Sequence, residues 1–212
     1  MGWAVPAGNA ARYNQAWNPW FGSPSMAVLL PLKVSVSNFN PTRKTLPMPE
    51  PVLQIVLYQP EIPFNAGNVG RTCVAIGAKL WLVRPLGFQV DDRHIRRAGL
   101  DYWEHLDWEV VDDWPSLLAR LPDRTYWFLT KTTRRHYTEA QIHPGDVLVF
   151  GSESKGLPEP LRQEHLDQCL RIPMHSKVRS LNLSVAAALV AYEAIRQWRA
   201  SGDIPEGLQG IF

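Results

Sequence analysis

The sequence predicts an α/β fold in which helices flank a mostly parallel sheet. From residue 53 onward, short apolar runs with strand composition alternate with longer segments that have helical spacing. Loops rich in Gly and Ser follow several of these runs, as is typical of the carboxyl ends of strands in such sheets. With 45% hydrophobic and 20% charged residues among 212, the composition is that of a soluble globular protein with a sizeable core.

The predicted elements alternate in a simple order. The strands are short apolar runs, and they cover residues 53–58, 80–83, 108–111, 126–129, 147–150 and 169–172. The helices lie between and after these runs, and they cover residues 65–76, 91–98, 115–121, 158–165 and 183–198. Gly77 is a typical helix stop, and Pro115 fits a first helical turn. The loops after Tyr58, Leu129 and Phe150, and the loop after Ile172, are therefore expected at the carboxyl ends of strands.

Residues 1–47 differ in composition from the rest of the chain. They are rich in Pro, Asn, Ser and Trp, and they contain basic residues but no acidic residue. Their apolar run, residues 26–32, lies too late and lacks the flanks of a signal peptide. We predict a disordered extension, or upstream sequence translated from a start codon placed before a natural initiator at Met48. Residues 48–212 are predicted to form a single domain.

Cysteine usage and hydropathy indicate the compartment. Cys73 and Cys169 lie far apart in apolar contexts, which predicts two buried, reduced thiols and a cytoplasmic location. The six histidines have no spacing that pairs them with the cysteines as metal ligands, so no metal is predicted. The apolar runs are too short to cross a bilayer, which needs about 18 residues or more, so no membrane association is predicted.

The sequence lacks the common nucleotide-binding and hydrolase motifs. No Gly-x-Gly-x-x-Gly follows the first strand, which excludes a classical dinucleotide fingerprint. Gly151 and Gly156 have P-loop spacing, but Leu157 stands where that motif requires Lys. Ser152 and Ser154 are not at the centre of a Gly-x-Ser-x-Gly elbow. The pattern favours a polar small-molecule site built largely from main-chain groups.

Three segments carry a resemblance to a known family. They read Ile62-Pro-Phe-Asn-Ala-Gly-Asn-Val-Gly-Arg-Thr72, then Phe150-Gly-Ser-Glu-Ser-Lys-Gly-Leu-Pro158, then Ile172-Pro-Met174 with Arg179-Ser-Leu-Asn-Leu-Ser-Val-Ala186. In this order and spacing, over about residues 52–198, they resemble the SPOUT superfamily of RNA methyltransferases. Within it, the chain is most similar to the small tRNA 2′-O-methyltransferases of the TrmL type.

The resemblance implies both a fold and an activity. It implies a C-terminal trefoil knot, S-adenosylmethionine as methyl donor, and a homodimer that binds the anticodon loop of tRNA. The expected reaction is methylation of the ribose 2′-hydroxyl of the wobble nucleotide, cytidine or uridine 34, in leucine-type acceptors. Two alternatives stay open: another tRNA or rRNA position, and an RNA-binding module without catalysis.

The resemblance also implies roles for individual residues. The expected cofactor-binding residues are Leu129, Thr130, Gly151, Ile172, Met174, Ser180 and Leu181. The expected catalytic residues are Asn65, Arg71, Glu153 and Asn182. A purely structural role stays open for several of these residues. Ile172 and Leu181 could pack in the core, and Asn65 and Asn182 could cap helices. Arg71 could form a surface salt bridge, and Glu153 could be an exposed acid in a loop.

Basic clusters and one aromatic residue are the candidates for RNA binding. Arg96 and Arg97 lie in the basic segment, and Arg134 lies in a loop that follows a strand. Such clusters attract phosphates, although a solvated charged face fits them as well. Tyr192 on the last helix is expected at the dimer seam or the RNA edge, with a core position as the alternative.

Overall fold

The computed structural model of the chain describes residues 50–90 and 101–210. The predicted N-terminal extension, residues 1–47, and the predicted basic helix, residues 91–98, lie outside the described residues, and Arg96 and Arg97 lie there with them.

Within the described ranges, six strands form one sheet in the order β3-β2-β1-β5-β4-β6. The strands are β1 Gln54–Tyr58, β2 Lys79–Val83, β3 Trp108–Val111, β4 Tyr126–Leu129, β5 Val147–Phe150 and β6 Cys169–Leu170. Every strand pair is parallel, and Ile55 of β1 lies in register with Leu80 on one side and Leu148 on the other. The prediction of a mostly parallel sheet is confirmed.

The last strand is shorter than predicted. It was expected through Ile172, but β6 ends at Leu170, opposite Leu129 at the end of β4. The next residue, Arg171, pairs instead with the loop beyond β4: its N–H donates to Arg135 O at 2.8 Å, and its carbonyl accepts from Tyr137 N–H at 3.0 Å. The ladder ends because its partner strand ends, which the composition of residues 169–172 does not reveal.

The helices flank the sheet. They are α1 Pro63–Ile76, α2 Trp114–Arg120, α3 Glu159–Glu164 and α4 Leu183–Ser201. Short 3-10 helices, which the sequence analysis did not predict because one turn has no measurable period, cover Asp101–His105, Tyr137–Glu139, Leu166–Gln168 and Glu206–Leu208. None of the helices in the described part of the chain is long and apolar enough to span a membrane.

Residues with known helix-terminating or helix-capping preferences lie at the helix ends. Pro63 stands in the first turn of α1, where its missing N–H costs no hydrogen bond. The same helix ends at Gly77, whose φ of 68° is the left-handed conformation that glycine adopts without strain. Asp113 caps α2 by accepting from Ser116 N–H at 2.8 Å, and this interaction with Ser116 lowers the pKa of the Asp113 carboxyl.

Alternate residues of the strands feed two cores on opposite faces of the sheet. Ile55 and Leu57 pack against α1 and α4, whereas Val56 points to the face covered by α2 and α3. Burying a side chain of this size stabilises the fold by about 1.5–3 kcal/mol. Cys73 and Cys169 are both buried free thiols, one in each core, as predicted, and burial raises the pKa of the Cys73 thiol strongly.

The strand order decides where the informative loops meet. β1, β5, β4 and β6 are consecutive neighbours in the sheet, although they are far apart in sequence. Because all strands run in the same direction, the chain segments that leave Tyr58, Phe150, Leu129 and Leu170 emerge side by side at the carboxyl edge.

Candidate functional site

A cavity of about 820 Å³ lies at the carboxyl edge of the sheet. Its lining includes all seven residues expected to bind the cofactor, namely Leu129, Thr130, Gly151, Ile172, Met174, Ser180 and Leu181. It also includes three of the expected catalytic residues, namely Asn65, Glu153 and Asn182. Small-molecule sites have volumes of roughly 300–1,000 Å³, so the cavity has a suitable size for a nucleoside-based ligand.

The loop after β5 forms one wall of the cavity and closes tightly on itself. Gly156 N–H donates to Ser152 O at 2.8 Å, and Gly156 has a φ of 69°. A Cβ on Gly151 would lie 2.1 Å from the carbonyl carbon of Gly156, so no other residue fits there without moving the loop. The turn itself therefore requires glycine at this position, independently of the close approach of a ribose that the sequence analysis expected.

Glu153 caps α1 from outside that helix. Ile62, at the N-cap position, supplies no side-chain hydrogen bond. The Glu153 carboxylate instead accepts from Glu61 N–H at 2.8 Å, from Ile62 N–H at 3.2 Å and from Asn65 Nδ2 at 2.9 Å. A negative charge at a helix N-terminus is also favoured by the helix dipole. The alternative of an exposed loop acid is wrong, because Glu153 is half-buried and fully engaged.

Glu61 in turn binds the loop that carries Glu153. Its carboxylate accepts from Ser154 N–H at 3.1 Å and from the Ser154 hydroxyl. The loop after β1 and the loop after β5 are thus joined in both directions. The sequence analysis did not name Glu61, and it named Ser154 only to exclude a hydrolase elbow, although both residues lie in or beside the quoted motifs.

Asn65 and Asn182 extend this network to the third loop. Asn182 Nδ2 donates to Asn65 Oδ1 at 2.9 Å, and its own Oδ1 accepts from Ser184 N–H at 2.9 Å. Asn182 therefore caps α4, as one reading expected, and faces the cavity as well. The capping alternative for Asn65 is wrong, because α1 begins two residues earlier, at Pro63, and Asn65 lies buried inside its first turn.

The rest of the lining combines apolar and cationic side chains. Leu129, Ile172 and Leu181 are partly buried around the cavity, which leaves apolar surface for a flat ring. The basic lining residues are Lys131, Lys155, Arg162 and Arg179. Arg162 was missed by the sequence analysis, because a single arginine inside a short polar helix has no distinguishing local signal.

Arg71 lies outside the cavity lining, about 1.7 helical turns along α1 from Asn65. Its guanidinium stands over the Tyr102 ring, 4.9 Å from the ring centre, and the Tyr102 hydroxyl donates to Gly67 O at 2.8 Å. Arg71 is exposed and forms no ion pair with any residue in ranges 50–90 and 101–210, so the salt-bridge alternative finds no partner there.

The remaining RNA candidates are exposed and lie away from the cavity. Tyr192 is 52% exposed on α4, so the alternative of a core tyrosine is wrong. Arg134 is exposed in the loop that follows β4. Phe64 on α1 and Val185 on α4 are large apolar residues that are also exposed. No three His, Cys, Asp or Glu side chains of the described residues come together in a metal-binding cluster.

The parallel sheet and its loop-lined cavity define an α/β protein with a cavity of small-molecule size at the carboxyl edge. The SpoU rRNA Methylase family matches residues 52–192, and the chain belongs to this family. The resemblance to RNA methyltransferases drawn from the three motifs is thereby confirmed.

Individual proteins agree with this assignment. The chain is 46% identical over 155 residues to a tRNA (cytidine(34)-2′-O)-methyltransferase of Methylovorus glucosotrophus. The alignment covers 72% of this chain and 100% of the relative. A solved structure described as giving structural insights into the 2-OH methylation of C/U34 on tRNA is 46% identical. Its TM-score with this chain is 0.66, and the match covers 70% of this chain and 97% of the chain in that structure.

A more distant structure shares the fold. The SpoU methyltransferase AviRb of Streptomyces viridochromogenes, solved in complex with AdoMet, has a TM-score of 0.60 at 24% identity. The match covers 73% of this chain and 60% of AviRb.

Proposed function

We propose that this protein methylates the ribose 2′-hydroxyl of nucleotide 34, cytidine or uridine, in tRNA, with S-adenosylmethionine as the methyl donor. The narrower part of the proposal is that the substrates are leucine-type acceptors. The observation that carries it is the convergence of three motif loops on one cavity in a chain of this family. Relatives that share close to half of its residues are named for this reaction.

The cavity residues fit the donor by their chemistry. When bound, the donor supplies a methyl group on a positively charged sulfur. Leu129, Ile172 and Leu181 offer apolar surface for its adenine, and the main chain around them offers donors and acceptors for the polar ring edges. Met174, Ser180, Thr130 and Gly151 line the same cavity.

The chain's own contribution to the reaction is positioning. The reaction would form a bond between the ribose oxygen and the methyl carbon as the carbon–sulfur bond breaks, with the hydroxyl proton passing to solvent water. Such a displacement needs in-line alignment, which accounts for much of the rate when it is well held. Glu153 and Asn182 fix both ends of the Asn65 amide, so its orientation is determined before RNA arrives.

Arg71 would provide electrostatic stabilisation in the proposed reaction. A guanidinium stays protonated in proteins, so Arg71 is not the base. In the proposal it anchors a phosphate or stabilises the developing negative charge on the ribose oxygen. The contact with the Tyr102 ring supports this role, because it limits the orientations of a guanidinium that is exposed to solvent.

The finer architecture belongs to the same proposal. We infer a C-terminal trefoil knot, and the position of β4 between β5 and β6 supports it. A homodimer formed through α1 and α4 is supported by the exposed apolar residues Phe64 and Val185. Residues 48–212 would form the single catalytic domain, in the cytoplasm, with Arg96, Arg97, Arg134 and Tyr192 on the RNA side.

A second candidate is methylation of ribosomal RNA. It is favoured by one observation, the description of the matching family as rRNA methylases. The chemistry and the cavity residues would be the same, and only the RNA would differ.

One experiment separates the two candidates. Purified protein is incubated with radiolabelled S-adenosylmethionine and either total tRNA or ribosomal RNA from cells that lack the gene. The methylated nucleotide is then mapped by mass spectrometry. The proposal expects 2′-O-methylation at position 34 of tRNA and none in ribosomal RNA. Label in ribosomal RNA alone would establish the second candidate, and no transfer to either RNA would contradict both.

A further inference from the structure

Arg162 on α3 connects two cavity loops that follow different strands. Its Nη1 donates to Thr132 Oγ1 at 2.7 Å, and its Nε donates to Leu157 O at 3.1 Å. Thr132 belongs to the loop after β4, whereas Leu157 belongs to the loop after β5. All three residues line the cavity, so one guanidinium joins two of its walls.

The connection continues along the wall to β6. The hydroxyls of Thr132 and Thr130 share a hydrogen bond of 3.0 Å, and Thr130 N–H donates to Leu170 O at 2.8 Å. A continuous path of hydrogen bonds therefore runs from α3 through the loop after β4 to the last strand. Thr130 is one of the residues proposed to border the cofactor.

The main chain around Arg162 is itself held in place. Its N–H donates to Pro158 O at 3.1 Å, and its carbonyl accepts from the Cys169 thiol at 3.7 Å. The Arg162 side chain therefore extends from a backbone that is held in place, which limits how far its guanidinium group can move. Charge-assisted hydrogen bonds from a planar guanidinium are directional, so they set a distance between the groups they join.

We propose that Arg162 is a positioning residue that holds the loops after β4 and β5 at the separation required by the nucleoside of the methyl donor. It acts through Thr132 and the Leu157 carbonyl, and it does not pair with the carboxylate of the donor's amino-acid part. This inference rests on the proposed function, because it assumes that the cavity binds the donor.

Two ligands distinguish these roles. S-adenosylhomocysteine has the nucleoside and the amino-acid part, whereas 5′-methylthioadenosine has the nucleoside but no carboxylate. Isothermal titration calorimetry measures the affinity of the full chain for each. A residue that sets the loop spacing affects both ligands equally, whereas a residue that binds the carboxylate affects only the first.

The expected result is a similar loss for both ligands. Arg162→Ala weakens binding of each by about tenfold, since two charge-assisted hydrogen bonds are lost. Thr132→Val removes one of the two contacts and weakens binding by about threefold. Arg162→Lys stays close to Arg162→Ala, because one ammonium group does not reproduce the fork. Arg120→Ala, an exposed arginine far from the cavity lining, leaves both affinities unchanged.

Several outcomes would overturn the inference. They are a loss confined to S-adenosylhomocysteine, unchanged affinity for both ligands in Arg162→Ala, or full recovery in Arg162→Lys. Thermal unfolding by circular dichroism identifies variants that fail to fold. If Arg162→Ala is one of them, Thr132→Val and Arg162→Lys decide the question. Failure of the unchanged protein to bind either ligand would instead contradict the proposed function.

Discussion

The two edges of the sheet carry many charges but arrange them differently. At the amino edge, Lys79 Nζ lies 3.4 Å from Asp107 Oδ1 and 3.3 Å from Glu109 Oε2, and Arg120 Nη1 lies 2.9 Å from Glu109 Oε1. Lys79 also stands over the Trp81 ring at 4.4 Å. A small cavity of about 340 Å³ lies among these residues, but its charges neutralise one another.

Around the larger cavity at the carboxyl edge the basic residues have no such partners, although Arg84 and Asp112 form an ion pair of 3.5 Å elsewhere along that edge. Lys131, Lys155 and Arg179 line the larger cavity, and none of them forms an ion pair with another described residue. The carboxylates nearby, Glu61 and Glu153, accept from main-chain and neutral side-chain groups instead. Uncompensated positive charge attracts anionic ligands, whereas paired charge contributes little beyond modest stability. The same residue types therefore indicate function at one edge and structure at the other.

The largest expected effect tests this difference with one substitution at each edge. Glu153→Gln replaces one of the two acceptor oxygens with an NH2 donor, so it cannot accept from all of Glu61 N–H, Ile62 N–H and Asn65 Nδ2 and should displace Asn65. We expect kcat/KM for tRNA methylation to fall by about 100-fold, because small misplacements in an aligned displacement are costly. Glu109→Gln makes the same chemical change at the amino edge and leaves the rate unchanged. Comparable rates in both variants would remove the distinction between the edges.

The second prediction compares two helix caps. Asn182 caps α4 beside the cavity, and Asp113 caps α2 away from it. Asn182→Ala should lower the free energy of unfolding by about 1 kcal/mol, measured by chemical denaturation, and Asp113→Ala should lower it too, since each removes a helix cap. Only Asn182→Ala should also reduce kcat, by about tenfold, because it loses the contact with Asn65. Equal activity in the two variants would mean that Asn182 only caps its helix.

The third prediction concerns RNA affinity. Arg134→Ala should weaken tRNA binding about threefold and reduce the slope of log affinity against log salt by about one, since one phosphate contact is lost. Arg120→Ala serves as the matched control, because its guanidinium is already paired with Glu109. Filter binding at several salt concentrations measures both quantities. An unchanged slope in Arg134→Ala would place this residue outside the RNA interface.

The sequence predicted the strands well because each is a short apolar run, and four-residue strands such as Tyr126–Leu129 were predicted to the residue. It also predicted that the motif loops share one edge, since that follows from a parallel sheet alone. What it could not predict depends on pairings between distant segments. The end of β6 at Leu170, the cap that Glu153 supplies to α1, and the link from Arg162 to Thr132 all follow from the strand order.

The smallest expected effect lies on α4, away from both edges. Glu193 is buried, and its carboxylate accepts from Arg196 Nε and Nη2, each at 2.7 Å. The hydrogen bond with Arg196 lowers the pKa of Glu193 below its ordinary value. A depressed pKa means that the folded chain holds the proton less readily than the unfolded chain. The contribution to stability is therefore present at neutral pH and is lost as the pH falls below about 4.3 towards the lower folded value.

Glu193→Gln should remove this part of the acid sensitivity. At pH 7 the variant should melt slightly below the unchanged protein, because solvent around the exposed Arg196 side chain screens the pair and keeps its contribution small. At pH 3 the difference should be smaller than at pH 7, because the Glu193 carboxyl is then largely protonated in the unfolded chain and part of the stabilisation is lost. Glu206→Gln, at an exposed glutamate, should show no such convergence. Methylation activity at pH 7 should be unaffected, since Glu193 does not line the cavity. A melting difference that is the same at both pH values would show that the Arg196 contact is not the source of the depressed pKa.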